Sequence, residues 1–290
     1  QRERASARER ERERGRERER ERAMAISIAA EWQMMGDKFY RKQDLYTMKW
    51  TNTDLSRHKV ACSRFGGPIA IIRDDSKIVQ LRSESARPRL SIFSSSGNLI
   101  SSILWDRPGG RLVALGWTEE ENLACIVQDG TIFLYNIYGE LLEPHISMGK
   151  ECWDQGVSQC VVWDRGVVCL TERHEVFSIP DLRSPHVHKL ANPNLDDDPF
   201  CMVVVEPQFT QSGDLEVLLA GTTSVIRVDM HSAQEQGRSY GPIQKMALSP
   251  TGTLLACFTY DGRLLVLASD FSRLLSEFDT QVHLLMLNYS

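Results

Sequence analysis

Leu123-Ala-Cys-Ile-Val-Gln-Asp-Gly-Thr-Ile-Phe-Leu-Tyr135 returns as Leu255-Ala-Cys-Phe-Thr-Tyr-Asp-Gly-Arg-Leu-Leu-Val-Leu267. The shared skeleton is Leu-Ala-Cys, then Asp-Gly four residues after the Cys, then an apolar run. The offset of 132 residues (255 − 123) divides into three units of about 44, the length of one four-stranded propeller blade. Asp129-Gly130 and Asp261-Gly262 predict two-residue hairpin turns, because Gly reaches positive φ freely and Asp tolerates it. Short runs rich in Ile, Val, Leu, Phe and Tyr flank both turns, as strands buried in stacked sheets should. Upstream of each lies a further strand and turn, Arg111 to Trp117 with Thr118 to Asn122, and Gln244 to Ser249 with Pro250-Thr-Gly252.

Weaker copies fill the interval. Gly166 to Ile179 places His174 44 residues after Gly130, and Glu216 to Val228 places Ser224 50 residues later. Leu90 to Gly97 matches Ile132 to Gly139 at an offset of 42. The prediction is an all-β chain, a β-propeller of four-stranded blades that is incomplete, with about five of seven blades between residues 54 and 280. Such a ring leaves two sheets with an uncovered face, Leu264 to Leu267 among the exposed residues. An ordinary β-sandwich with turns at similar spacing is the competing architecture.

The 290 residues are 42% hydrophobic and 25% charged, within the range of soluble globular proteins. No apolar run approaches the roughly 20 residues of a membrane-spanning helix, and Ala25 to Ala30 is too short for a secretory core. A cytosolic protein is expected. None of the seven Cys (62, 125, 152, 160, 169, 201 and 257) is spaced as C-x-x-C, which removes zinc and thioredoxin readings. Cys125, Cys169 and Cys257 sit inside apolar strands and read as small core hydrophobes in a reducing compartment.

Three domains are expected: residues 1–23 an Arg/Glu-rich disordered or single-helix tail, 24–53 a lead-in segment, and 54–290 the partial propeller. Residues 1–22 hold ten Arg and seven Glu, +3 in all, so the remainder carries −8 of the formal −5. The tail has no apolar stripe to dock, and the acidic body disfavours nucleic acid as a partner. Met24 has the look of a native start. The end at Leu284 to Ser290, just inside a new strand-like segment, predicts a shortened form of a longer protein.

The stretch from Glu31 to about Thr280 resembles the N-terminal part of the vacuolar protein sorting-associated protein 16 family, its plant members in particular. The residues that carry the likeness are Phe39-Tyr-Arg-Lys42 with Leu45-Tyr46 and Trp50, Leu55-Ser-Arg-His-Lys-Val-Ala-Cys62, and above all Phe65-Gly-Gly-Pro-Ile-Ala-Ile-Ile-Arg-Asp-Asp-Ser-Lys-Ile-Val-Gln-Leu81. Pro108 to Arg111, Cys125 to Thr131, Ser147-Met-Gly149 and Gly166 to Glu172 follow in the family's order. The resemblance implies an N-terminal propeller followed by an α-solenoid, in a non-catalytic core subunit of the HOPS and CORVET tethers. These act in vesicle-mediated transport to the vacuole or lysosome and in membrane fusion. Implied partners are the other tether subunits, a Sec1/Munc18-like subunit recruited through the solenoid, and indirectly SNAREs and Rab-marked membranes. The implied location is cytoplasmic, peripheral on late endosome and vacuole. No helical repeat follows residue 280, so this chain is expected to lack the solenoid and, with it, the recruiting surface.

Candidate chemistry resolves to turns and loops. Asp74-Asp75 reads as a polar turn rather than a metal site. Asp196-Asp-Asp198 lacks the Gly and distal Glu of a calcium loop and reads as a blade connector. His186 and His188 share a strand parity, but no third ligand is near in sequence. Gly66-Gly67 and Gly109-Gly110 precede strands, not helices, and so are blade turns rather than phosphate loops. Trp105, Trp117 and Trp163 fall at strand ends and predict packing between blades; Trp32, Trp50 and Trp153 are candidate surface anchors. No catalytic, cofactor-binding or metal residue is assigned. A propeller enzyme, a sugar-binding lectin and a WD40-type scaffold outside trafficking are the alternatives. Trp105-Asp106 and Trp163-Asp164 do not lie where a WD40 blade puts its signature.

Overall fold

A strand that alternates apolar and polar residues can bury only one face, so it must pair and then stack. The computed structural model shows how this chain does both; it describes residues 32–43, 53–76, 88–222, 224–236 and 241–280. The Arg/Glu tract, Trp50, the strand expected at Lys77 to Leu81 and the C-terminal strand-like segment lie outside the described residues. The chain divides into two units, residues 1–49 and 50–290. The first contains a hairpin, β1 (Trp32–Met35) with β2 (Lys38–Arg41).

Among the described residues the second unit carries five four-stranded antiparallel sheets, each built from consecutive strands. Blade I is β3 (His58–Cys62), β4 (Ile69–Arg73), β5 (Arg89–Phe93) and β6 (Leu99–Leu104). Blade II is β7 (Leu112–Trp117), β8 (Leu123–Val127), β9 (Thr131–Tyr135) and β10 (Leu141–Ser147). A six-residue helix, α1 (Lys150–Gln155), leads to blade III: β11 (Val157–Trp163), β12 (Gly166–Thr171), β13 (Val176–Ile179) and β14 (His188–Lys189). Blade IV is β15 (Cys201–Val205), β16 (Glu216–Ala220), β17 (Val225–Val228) and β18 (Ala233–Glu235). Blade V is β19 (Ile243–Leu248), β20 (Leu254–Thr259), β21 (Arg263–Ala268) and β22 (Leu274–Asp279). The first strand of each blade lies beside the first strand of the next, so β3, β7, β11, β15 and β19 form the inner row. The sandwich alternative is excluded: five small sheets stack in series where a sandwich has two.

Among the described residues the core forms four separate clusters, one at each interface between successive blades. Leu90, Ile92, Leu123, Cys125 and Tyr135 join blades I and II; Ile126, Ile132, Val167, Cys169 and Ile179 join II and III. Leu170, Val176, Val217 and Leu219 join III and IV; Leu218, Ala220, Leu255, Leu265 and Leu267 join IV and V. Each fully buried Leu or Ile contributes about 1.5–3 kcal/mol by leaving water. Hydrogen bonds reinforce the stack. Val157 N–H donates to the Gln128 carbonyl at 2.7 Å, Ala191 N–H to the Asp229 carbonyl at 2.9 Å, and the Arg227 guanidinium to the Ser269 carbonyl at 3.2 Å.

The repeated Asp-Gly turns are where expected, but their type differs. Val127 accepts from Gly130 N–H at 2.9 Å, and Thr259 from Gly262 N–H at 3.1 Å, so three residues form each connection. Only the Gly is left-handed, with φ of 79° at Gly130 and 83° at Gly262. Asp keeps ordinary backbone angles, and its carboxylate braces the turn instead. Asp129 accepts from Thr131 N–H at 2.8 Å. His174 fills the Gly position of blade III in the same left-handed conformation (φ 62°), with its N–H on Thr171 at 3.0 Å. Its ring nitrogens meet the Leu195 carbonyl at 3.1 Å and the Asp198 carboxylate at 2.8 Å, which tie the turn to the next connector.

The expectation for Leu264 to Leu267 needs correction. Leu265 and Leu267 are buried against blade IV; strand alternation turns Leu264 and Val266 to the opposite face, and these two are half-buried. Leu254 and Phe278 share that face, exposed by 39% and 54%. Among the described residues no further sheet covers it.

Candidate interaction surface at the propeller mouth

Four of the five inner strands end, in chain direction, at the same mouth. Arg64 and Phe65 follow β3, Trp163 closes β11, Glu206 and Gln208 follow β15, and Ser249 and Pro250 follow β19. With Met202, Val204, Met246 and Leu248 they line a cavity of about 660 Å³. Its floor is apolar because it is formed by the edges of the blade interfaces, Met202 and Val204 from the III–IV cluster and Met246 and Leu248 beside the IV–V cluster. Its rim is polar because turns supply the edge.

One ion pair crosses this mouth. The Arg64 guanidinium donates to the Glu206 carboxylate at 2.8 Å, joining blade I to blade IV over 142 residues of sequence. Gln208 donates to the other Glu206 oxygen at 2.9 Å. Glu206 is buried, whereas the Arg64 side chain is 63% exposed. The two partners should therefore respond unequally. Removing Arg64 leaves a buried carboxylate short of a donor, which costs about 1–3 kcal/mol. Glu206→Gln leaves an arginine that water solvates and should cost about 1 kcal/mol or less. Urea unfolding of Arg64→Met against Glu206→Gln checks the order; equal losses would contradict it.

Beside Arg64, Phe65 has φ 59° and ψ 31° and its side chain is fully exposed. A bulky residue in the left-handed region is strained by about 1–3 kcal/mol, and burial gives nothing back here. Gly66 follows, also at positive φ (78°), so a single tight turn carries the aromatic ring to the rim. Sequence reading missed Arg64, Phe65 and Glu206 as a group. Phe65-Gly-Gly was visible as a turn, but nothing in one chain signals a pairing across 142 residues.

The residues singled out from sequence fall as turns and connectors. Asp74 accepts from the Ser76 N–H at 3.2 Å and its hydroxyl at 2.7 Å. The Asp196 to Asp198 run meets His174 through Asp198 alone. His186 lies in a loop against the Ser184 carbonyl at 2.9 Å, and His188 is exposed on the short outer strand β14. Among the described residues no group of three His, Cys, Asp or Glu could hold a metal ion. Carboxylates with depressed pKa are held by turns: Asp261 lies below its ordinary range through hydrogen bonds from Thr259 and Arg263, and Asp181 through Arg183. Burial pushes the Cys152 and Cys257 thiols up to about 12, away from nucleophilic use. Trp117 and Trp163 are buried at blade interfaces, as their positions predicted, and Trp105 packs against the first interface. Trp32 and Trp153 are exposed by 46% and 61%.

Residues 28–288 match the family described as Vps16, N-terminal region. The chain belongs to this Vps16 family. It is 48% identical over 262 residues to Protein VACUOLELESS1 of Arabidopsis thaliana, covering 83% of this chain and 30% of that protein. It is 34% identical over 251 residues to the vacuolar protein sorting-associated protein 16 homolog of Dictyostelium discoideum, covering 84% and 30%. The homolog of Drosophila melanogaster is 30% identical over 262 residues, covering 86% and 30%. This chain thus spans about 30% of the length of the curated Vps16 relatives it matches. Among solved structures, the β-propeller domain of Cps50 (Swd1) from Myceliophteria thermophila superposes with a TM-score of 0.52. That likeness has 13% identity and covers 77% of this chain and 72% of the other; it shows the propeller fold alone.

Proposed function

We propose that the chain is a non-catalytic interaction module of vacuolar protein sorting, the propeller of a core subunit of the HOPS and CORVET membrane tethers. The observation that carries this reading is the Vps16 match over residues 28–288, a span that includes all five blades. The chemistry of the surface agrees with it. The carboxylates of Asp129, Asp181 and Asp261 brace turns, and Glu206 at the mouth is held by Arg64 and Gln208. What the mouth offers instead is shape, an exposed aromatic ring and a polar rim, the components of a protein-binding patch.

In this proposal the propeller acts in vesicle-mediated transport to the vacuole or lysosome and in fusion, as a peripheral protein on the cytoplasmic side of late endosomes and vacuoles. Its partners are the other tether subunits. A Sec1/Munc18-like subunit joins through a helical part in the roughly 70% of the relatives' length that this chain does not span. SNAREs and Rab-marked membranes are reached through the assembled tether. Residues 1–23 act as a solvated tail and 24–53 as a lead-in to the propeller at 54–290. No helix among the described residues is long and apolar enough to cross a membrane. Fractionation of cells that express a relative-length chain carrying this propeller tests the reading. The chain should pellet with vacuolar and endosomal membranes and leave them at alkaline pH; a purely soluble pool would overturn it.

A further inference from the structure

The hairpin of β11 and β12 brings two thiols together at the interface of blades II and III. Cys160 and Cys169 are directly opposed in its register, and their sulfurs lie 2.8 Å apart. Opposed residues of an antiparallel pair have Cα atoms about 4.5–5.5 Å apart, inside the range a disulfide spans. The two sulfurs are not equivalent. Cys169 is fully buried in the II–III cluster, whereas Cys160, packed against the same cluster from the inner strand, is partly open to solvent. Burial holds the Cys169 thiol well above its usual pKa. A third thiol, Cys152 of α1, belongs to this cluster but is fully buried.

We propose that Cys160 and Cys169 form a thiol-oxidation site, at which a peroxide converts the facing pair into a reversible cross-strand disulfide. Cys160 reacts first because a small oxidant reaches it from solvent. Its thiolate attacks one peroxide oxygen, the O–O bond breaks, and with one proton taken up Cys160 sulfenic acid and one water form when the oxidant is hydrogen peroxide. The Cys169 sulfur then displaces the sulfenic hydroxyl. The S–S bond forms, the S–O bond breaks, and the Cys169 proton leaves with the hydroxyl as a second water. Two thiols are oxidised by two electrons, and one peroxide is reduced to two waters. High pKa makes Cys169 a poor first nucleophile, but contact with the sulfenic sulfur and transfer of its proton to the departing hydroxyl remove that obstacle. The bond would fasten the inner strand of blade III to its neighbour at an interface where backbones already hydrogen-bond. The solvent-facing side of Cys160 leaves the bond open to a thiol reductant.

The test is peroxide treatment of the full 290-residue chain under native conditions, blocking of free thiols, tryptic digestion without reductant, and tandem mass spectrometry. Cleavage after Lys150, Arg165 and Arg173 puts Cys160 on peptide 151–165 and Cys169 on peptide 166–173. The expected product is these two peptides joined and lighter by two hydrogens, with fragment ions that place the bond at Cys160 rather than Cys152. Dithiothreitol should separate them. Cys152→Ser should keep the product, and Cys160→Ser should abolish it. Cys62, exposed on β3, reports that the oxidant was effective. Oxidised Cys62 with free Cys160 and Cys169, or a bond assigned to Cys152, would overturn the proposal. The wild-type fragment ions decide this even if Cys160→Ser fails to fold.

Discussion

Trp117→Ala should lower the stability of the chain by about 3–5 kcal/mol, the usual cost of removing a large aromatic side chain from a packed core. Trp117 ends β7 and is 9% exposed, lodged among Leu90, Leu123 and Tyr135 between blades I and II. Its indole N–H donates to the Ala61 carbonyl of β3 at 3.0 Å. The substitution therefore opens a cavity and strands a buried carbonyl, two penalties that act on the same interface. Trp153→Ala is the control. That ring stands on α1 with 61% exposure, and its loss should change stability by about 0.5 kcal/mol or less. Urea midpoints of the two variants measure the contrast; similar midpoints would mean that the stack does not rest on its blade interfaces.

Gly116→Ala should also be costly, about 1–3 kcal/mol, from overpacking. Gly116 lies on the inner strand β7 opposite β11, and a Cβ there would sit 2.5 Å from the Val162 Cβ and 2.7 Å from its Cγ2. Valine cannot swing its branch point away, because that carbon is fixed to the backbone. The strands must move apart, which loosens the II–III cluster beside them. If this contact is the cause, Val162→Gly should recover part of the loss, with a coupling of about 0.5–3 kcal/mol in a double-mutant cycle. Strict additivity would place the damage elsewhere.

Both residues show why the blade pattern was readable and the contacts between blades were not. The first three strands of a blade carry apolar runs and turn residues at fixed offsets, so Leu123 to Tyr135 and Leu255 to Leu267 declared themselves as β8–β9 and β20–β21. The fourth strands did not. β14 and β18 are two and three residues long with little or no burial, and β22 is mostly exposed, so hydrophobic periodicity has nothing to register there. Helix α1 escaped for a related reason: six residues with one buried side chain, Cys152, have no amphipathic pattern. The Asp-Gly pairs gave the position of the turns but suggested the wrong type, because the same dipeptide serves two-residue and three-residue hairpins. His174 shows that a side chain with partners for both ring nitrogens can occupy a position where Gly is otherwise favoured.

The candidate surface was the least legible part. Phe65 read as one residue of a turn, and nothing set Arg64 or Glu206 apart from other charged residues beside strands. Their meeting depends on blades I and IV curving to the same mouth, a property of the accumulated stack rather than of any segment. The family likeness, by contrast, was legible from contiguous motifs such as Phe65 to Leu81, although residues 77–81 of that motif lie outside the described structure.

The claim that this propeller serves a vacuolar tether is tested most directly by affinity isolation with purified tether subunits. Residues 24–290 are compared with the same propeller continued to the relatives' full length. The account predicts that the continued chain recovers the Sec1/Munc18-like subunit in near-stoichiometric amounts and that residues 24–290 alone recover none. Recovery by residues 24–290, or failure of the continued chain, would contradict it.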